Sequence, residues 1–267
     1  MDFILSHDWL NRGLDSYAFQ WDHLVSVFFY IIVAVVLCFI LRKRSHKTVK
    51  IVLIVLYALA TASQLSYYVI RYALCISDPS NYQFDLGGML PLHSCYMFIF
   101  IFPVAMWCKN PIIKTAANNF LVVVNMIMGF ITMFVGCPPG GYSALSFNGS
   151  QELFYHALIY IVPLIMLVTN WYDLKKWDIK WGIALFCALA TTIYIFDAIF
   201  DVDYFFIYTG KNFGILYEIS ENVPHMVWTL IVMSCYVITA FIIHFAVYYI
   251  KFFIANKIKK QEIPQEA

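Results

Sequence analysis

The segment LVSVFFYIIVAVVLCFILRKR, residues 24–44, is a nearly unbroken apolar run that ends in three basic residues. Its length is close to the roughly 20 residues that an α-helix needs to cross the hydrocarbon core of a bilayer. Basic residues directly after such a run are typical of the cytoplasmic end of a span. The segment therefore predicts a transmembrane helix over 22–41 and indicates its direction.

The composition of the whole chain supports the same conclusion. Of its 267 residues, 62% are hydrophobic and only 12% are charged. A soluble protein of this size has too little interior to hide so much apolar surface. A soluble nucleic-acid binder, a disordered chain and a secreted disulfide scaffold are excluded. We predict an all-α polytopic membrane helix bundle that forms a single transmembrane domain over 1–267.

Six further apolar stretches are long enough to span the membrane. Continuous apolar runs favour helices, because the strands of a membrane barrel alternate apolar and polar residues. We predict seven transmembrane helices, over 22–41, 52–76, 88–108, 115–136, 152–170, 180–200 and 223–250. Residues 1–21 are mixed in character and are predicted to form a short external amphipathic segment, followed by the 22–250 bundle and a 251–267 cytoplasmic tail.

The basic residues give the orientation of the predicted bundle. In a seven-span model, 14 of the 17 Lys and Arg residues fall on one side of the membrane. The positive-inside rule then places the N-terminus outside and the C-terminus in the cytoplasm. We predict a multi-pass integral membrane protein, in the plasma membrane if the host is bacterial.

Ionisable and strongly polar residues within spans are costly, so they indicate functional positions. Most of them are predicted to lie in the outer half of the bundle, which suggests a cavity open to the outer leaflet. The cytoplasmic half carries only Asn118, Asn119 and His244. The outer set comprises Gln64, Arg71, His93, Cys95, Asn125, His156, Asp197, Asp201 and His225.

Cys95 and His156 are predicted at matching depths, ~10 Å and ~8 Å along their helices from the outer surface. A thiol with a neighbouring imidazole is the smallest nucleophile and base set. His93 is two residues from Cys95 and would point elsewhere on a regular helix, where it could bind a substrate oxygen. The alternative is that Cys95 is a core cysteine and His156 a hydrogen-bonded packing residue.

The remaining polar residues leave other interpretations open. Asp197 and Asp201 would share one helix face and could bind a cation or relay protons. They could equally mark the end of a span, with Arg71 or Lys211 as the countercharge. The cysteines lack metal-ligand spacing, although Cys75 and Cys137 could pair, and no metal site or cofactor is predicted.

Three motifs resemble the YwaF-like integral membrane family, which has vertebrate relatives that act as ether-phospholipid acyltransferases. The segment LPLHSC, residues 90–95, resembles the LPLHxC signature of that family. The segments FYH, 154–156, and TGKNF, 209–213, also resemble it, although Phe213 replaces the usual Tyr. The resemblance covers about 20–250. A more remote resemblance is to androgen-induced membrane hydrolases, which use a Thr and a His on fatty-acid esters.

This resemblance implies that Cys95 is the nucleophile and His156 the base in acyl transfer on a membrane phospholipid or lysophospholipid. Either an acyltransferase or an acyl-ester hydrolase would fit. An oxyanion needs hydrogen-bond donors, for which we consider Gln64, His93 and Asn125. The full set of candidate substrate-binding or orienting residues is His93, Gln64, Asn125, Asn212 and His225.

Two other functions are considered. A transporter or channel for a small solute or ion would use Asp197, Asp201 and Arg71, and predicts polar residues that reach both membrane faces. A non-catalytic seven-helix receptor or assembly factor predicts that Cys95 is unreactive. No nucleic-acid partner is expected, and the sequence does not indicate an oligomeric state.

Overall fold

The computed structural model describes residues 19–80, 82–84, 86–135, 144–210 and 219–262. Within these ranges the chain forms helices joined by turns, and no β-strand occurs. Six helical segments are long and apolar enough to cross a membrane. The predicted all-α membrane bundle is therefore confirmed. Most of the predicted external segment, 1–18, lies outside the described residues.

The described chain contains nine α-helices and one π-helical turn, Leu121–Asn125, which joins the fifth helix to the sixth in one continuous rod. The α-helices are α1 (Trp21–Leu41), α2 (His46–Ser77), α3 (Leu86–Met89), α4 (Met97–Trp107), α5 (Pro111–Phe120), α6 (Met126–Val135), α7 (Phe147–Val168), α8 (Ile179–Phe200) and α9 (His225–Glu262).

Three of the helix starts follow ordinary capping signals. The Ser45 hydroxyl accepts a hydrogen bond from the Thr48 N–H at the start of α2. Asn110 caps α5 in the same way, with Pro111 in the first turn. Ser146 caps α7 by accepting from the N–H of Gly149 at 3.1 Å. These side chains satisfy backbone donors that have no partner within the helix, so each start is encoded locally.

The third predicted span, 88–108, differs from the continuous helix expected. Only α4 is a regular apolar helix there, and its 11 residues are too few to cross a bilayer alone. Residues 90–96 are irregular. Pro91 lacks an N–H and disfavours the helical conformation of Leu90, which explains the break. The described residues thus contain six helical segments that are long and apolar enough to cross a membrane, together with this shorter helix.

The two ends of the bundle have different character. The His46 ring lies 4.1 Å from the Trp171 ring, which brings the basic turn 42–45 close to the turn 169–178, where Lys175 and Lys176 are found. We call this end the basic face and the other end the opposite face. The side of the membrane that each one meets stays a prediction from the positive-inside rule.

His244 of α9 ties the last helix to the basic face. Its side chain is fully buried, and Nε2 donates to the Lys176 carbonyl at 3.1 Å. Because a carbonyl can only accept, Nδ1 is the acceptor for the Asn119 amide, 3.0 Å away. His244 therefore connects α9 to α5 and to the turn before α8.

Helix α7 lies at the centre of the bundle and packs against α1, α2 and α6. In its most apolar window 67% of residues are buried, against 11% for α9. Helix α7 carries His156, so that histidine is surrounded by protein rather than lipid.

Helices α6 and α7 approach most closely at Gly129. A Cβ at this position would lie 2.8 Å from the His156 carbonyl oxygen and 3.0 Å from the Tyr160 nitrogen. Small residues permit such close packing of membrane helices.

We expect Gly129→Ala to lower the free energy of unfolding by about 1–3 kcal/mol, because the neighbouring backbone cannot yield. Thermal unfolding in detergent micelles measures the change. Ile131→Ala is the control, since that side chain is 45% exposed on the same helix. A Gly129→Ala protein as stable as the unsubstituted chain would contradict the close approach.

Candidate active site

The irregular segment 90–96 carries Cys95 and is held from two sides. The Tyr155 hydroxyl of α7 donates to the Cys95 carbonyl at 3.2 Å. The Asn125 amide donates to the Ser94 carbonyl at 3.0 Å and to the Cys95 carbonyl at 3.4 Å. Backbone without helical hydrogen bonds needs such partners at membrane depth. The position of Cys95 therefore depends on α7 and on the π-helical turn.

Asn125 is the last residue of the π-helical turn, and its side chain is fully buried. Such turns contain one residue more than an α-helical turn and are frequent at functional sites. The Asn125 amide nitrogen has two backbone carbonyls as its acceptors. In this structure Asn125 orients the Cys95 segment, which is one of the two roles that the sequence suggests for it.

The Cys95 thiol lies beside polar side chains from three elements. The hydroxyls of Ser94 and of Thr132 on α6 are its nearest polar neighbours, and the Glu152 carboxyl of α7 lies within electrostatic range. The Cys95 thiol is thus buried, with two hydroxyl groups beside it.

His156 is 3% exposed, and its two ring nitrogens differ in their surroundings. Nδ1 lies 2.8 Å from the Glu152 carbonyl oxygen, which can only accept, so Nδ1 carries the proton. Nε2 is buried and has no hydrogen-bond partner among the described residues. The neutral ring thus keeps a free lone pair on Nε2, as a general base requires.

Cys95 and His156 are linked through residues of α7 and are not hydrogen-bonded to each other. Tyr155, the neighbour of His156 in the chain, contacts the Cys95 backbone, and Glu152 reaches both residues. The His156 Nε2 has no partner within the described chain, and that includes the thiol. Catalytic hydrogen bonds often shorten only when substrate is bound, so this geometry is compatible with a nucleophile and base pair.

His93 contacts a different part of the site. Its Nδ1 donates to the Tyr204 carbonyl at 2.5 Å, and its ring lies 5.0 Å from the Tyr204 ring and 5.6 Å from that of Phe206. His93 also interacts electrostatically with His156. It therefore packs against the segment that follows α8.

That segment, residues 202–210, folds back into the bundle, and we call it the plug. The side chains of Tyr204, Phe205 and Ile207 are fully buried. The Tyr204 hydroxyl donates to the Leu86 carbonyl of α3. The plug therefore lies close to the Cys95 segment, in the region where the sequence suggests an open cavity.

Side chains of α9 satisfy the backbone of the plug. Trp228 Nε1 donates to the Phe206 carbonyl at 3.0 Å, and the Thr229 hydroxyl donates to the Ile207 carbonyl at 2.7 Å. His225 lies 3.1 Å from the Tyr208 carbonyl. His225 thus anchors the plug and is not brought next to Cys95.

Asp197 and Asp201 do not form a shared site. Asp197 is fully buried, and its Oδ2 accepts from the Tyr204 N–H at 3.1 Å. Asp201 is exposed and ends α8 in a left-handed conformation, with φ 51°. Asp197 therefore holds the start of the plug.

Gln64 links α2 to α7 near the site. Its Oε1 accepts from the Gln151 amide at 3.2 Å, and its Nε2 is buried beside the Tyr68 hydroxyl. The other predicted binding residue, Asn212, lies outside the described residues. So does Cys137, and with it the suggested pairing with Cys75.

Sequence reasoning missed Glu152, Tyr155 and Thr132. Glu152 precedes His156 by one helical turn, and that spacing is a usable signal. Tyr155 directly precedes His156 and would be expected on another face. Thr132 is a single hydroxyl in an apolar stretch, and nothing in the sequence marks it.

Comparison with known proteins places the chain in a family. The model of the TMEM164 family matches residues 18–248, and Cys95, Asn125 and His156 fall within the match. No curated protein and no solved structure matches the chain. Because the match covers most of the 267 residues, the chain belongs to the TMEM164 family.

Proposed function

We propose that this protein is a membrane enzyme that transfers or hydrolyses the acyl group of a lipid ester, with Cys95 as nucleophile and His156 as base. One observation carries the proposal. A buried imidazole, protonated on Nδ1 by its bond to the Glu152 carbonyl, has a free Nε2, and the adjacent Tyr155 is hydrogen-bonded to the Cys95 carbonyl. The resemblance of residues 90–95 to the LPLHxC signature supports the same pair.

The reaction begins when the Cys95 sulfur attacks the ester carbonyl carbon and His156 Nε2 takes the thiol proton. The new bond is a thioester, and the broken bond is the ester C–O bond. The proton passes from His156 to the departing lipid alkoxide. In the second half, His156 removes a proton from an incoming hydroxyl, whose oxygen attacks the thioester carbonyl. The C–S bond breaks, and the proton passes from His156 to the sulfur, which restores the thiol.

The incoming hydroxyl decides the outcome of the reaction. A lysophospholipid hydroxyl gives an acyltransferase, whereas water gives a hydrolase. The resemblance favours phospholipid and lysophospholipid as substrates. The central position of α7 favours transfer, because a site surrounded by protein excludes competing water.

Transport receives less support from the geometry. Asp197 is hydrogen-bonded to the plug and Asp201 is exposed, so the two carboxylates do not line one path. A receptor or assembly factor accounts for the buried His156 and its bond to the Glu152 carbonyl, but it does not require an Nε2 atom without a partner. We therefore favour acyl chemistry.

An acyl-mimetic, thiol-reactive lipid probe tests the proposal in native membranes. We expect the peptide that contains Cys95 to be labelled, with much less label in His156→Ala and none in Cys95→Ser. Cys38→Ser is the matched control, because Cys38 is a buried cysteine of α1. If Cys95 does not react while the protein is folded, the cysteine has a packing role and the proposal is wrong.

A further inference from the structure

Three polar side chains of α2, Gln64, Tyr68 and Arg71, follow one another at spacings of four and three residues. Residues with this spacing lie on one face of a helix. Each has a buried donor: Gln64 Nε2, the Tyr68 hydroxyl and Arg71 Nε. We call these residues the donor row.

Unsatisfied donors of this kind need an explanation. A buried donor without an acceptor costs free energy, and native proteins contain few of them. The Gln64 amide lies beside the Tyr68 hydroxyl, which can accept from it, so the Tyr68 O–H and Arg71 Nε are the donors that lack an acceptor among the described residues. Two such donors on one helix face indicate that a ligand supplies the acceptors.

The lower end of the donor row is at the level of the candidate active site. Gln64 is hydrogen-bonded to Gln151, the residue before Glu152. The Tyr68 ring lies 6.4 Å from the ring of Tyr96, which directly follows Cys95. From Gln64 to Arg71 the row rises about 10 Å along α2, toward the opposite face.

Arg71 gives the upper end of the row a positive charge. Its guanidinium carbon lies 5.9 Å from the centre of the Tyr67 ring, and no described carboxylate pairs with it. A guanidinium binds phosphate through two parallel hydrogen bonds and is well suited to anionic groups at a membrane surface.

We propose that the donor row binds the polar part of the lipid substrate, with Arg71 on a phosphate and Tyr68 and Gln64 on the ester and glycerol oxygens. This inference rests on the proposed function, because it places the ester beside Cys95. In a glycerophospholipid the phosphate and the acyl esters are a few bonds apart. This separation is compatible with the rise of about 10 Å between Gln64 and Arg71 along α2. The site then selects phosphate-bearing lipids over neutral glycerides.

Binding can be measured without catalysis in the full-length Cys95→Ser protein, purified in neutral detergent. Dioleoyl phosphatidate and dioleoylglycerol differ only in the phosphate, and lipid-dependent thermal stabilisation reports their affinities. We expect phosphatidate to bind more tightly. Tyr68→Phe and Arg71→Gln should each weaken phosphatidate binding about tenfold and leave dioleoylglycerol unchanged.

Two control variants separate binding from folding. The Tyr57 hydroxyl, on the same helix, donates to the Ile99 carbonyl at 3.0 Å, so Tyr57→Phe should lower stability and keep phosphatidate affinity. Tyr68→Phe removes a donor that has no partner, so it should keep the stability of the lipid-free protein. Arg42→Gln, at the basic face, controls for non-specific attraction of anionic lipid.

The inference is wrong if the two lipids bind equally, or if Tyr68→Phe and Arg71→Gln preserve the difference between them. Inorganic phosphate that competes as tightly as phosphatidate would identify a site for a free anion and would overturn the lipid assignment. Failure of the proposed function is seen separately, as acyl turnover that survives Cys95→Ser.

Discussion

Cys95→Ser is expected to lower lipid acyl turnover about a thousandfold or more, because a serine hydroxyl at this position is a far weaker nucleophile than a thiol activated by an imidazole. Acyl exchange between a phospholipid and a lysophospholipid, followed by mass spectrometry in proteoliposomes, measures the loss. The substitution changes one atom, so the hydrogen bonds of Tyr155 and Asn125 to the backbone should persist.

Cys38→Ser should keep turnover within a few-fold of the unsubstituted protein, since Cys38 lies on α1 away from the site. Turnover that survives Cys95→Ser would exclude a thioester intermediate. The Cys95 segment would then have a structural role only.

His156→Asn should lower turnover about 10²- to 10⁴-fold, the usual contribution of a general base. The asparagine amide can still donate to the Glu152 carbonyl in place of Nδ1, but it provides no lone pair where Nε2 lies. The fold should therefore survive while proton transfer is lost. Single-turnover acylation by a radiolabelled phospholipid isolates the step.

The matched control for that variant is His244→Asn. His244 is also buried and hydrogen-bonded to a carbonyl, but it lies at the basic face. Its substitution is expected to reduce stability and to spare the acylation rate of the folded protein. If both histidine variants lose acylation equally, the effect is on folding and His156 is not the base.

The positions of the helices could be predicted well, because a long apolar run indicates a segment that lies in lipid. The interruption of the third predicted span at 90–96 is harder to predict from sequence, since the segment is largely apolar although its backbone is irregular. The pair Leu90-Pro91 is the local signal for it. The backbone carbonyls of Ser94 and Cys95 accept hydrogen bonds from Asn125 and Tyr155, which are distant in sequence. Hydropathy does not indicate such partners.

The plug shows a second limit of sequence reasoning. Its position after Asp201 favours an external loop, yet residues 204–207 read Tyr-Phe-Phe-Ile, and three of these four side chains are fully buried. A short apolar run predicts that its side chains are buried, but it does not predict whether the segment folds back into the bundle. The matching depth of Cys95 and His156, in contrast, is a prediction from counting residues along two spans, and the structure connects the two segments through the hydrogen bond from Tyr155 to the Cys95 carbonyl.

The π-helical turn gives the fifth and sixth helices different partners. Before it, Asn119 faces His244 of the last helix, and after it Gly129 packs on α7. One extra residue shifts the angular phase of an α-helix by about 100°. Without that offset the same rod could not satisfy both neighbours, so insertions or deletions of one residue between 120 and 126 should be strongly selected against.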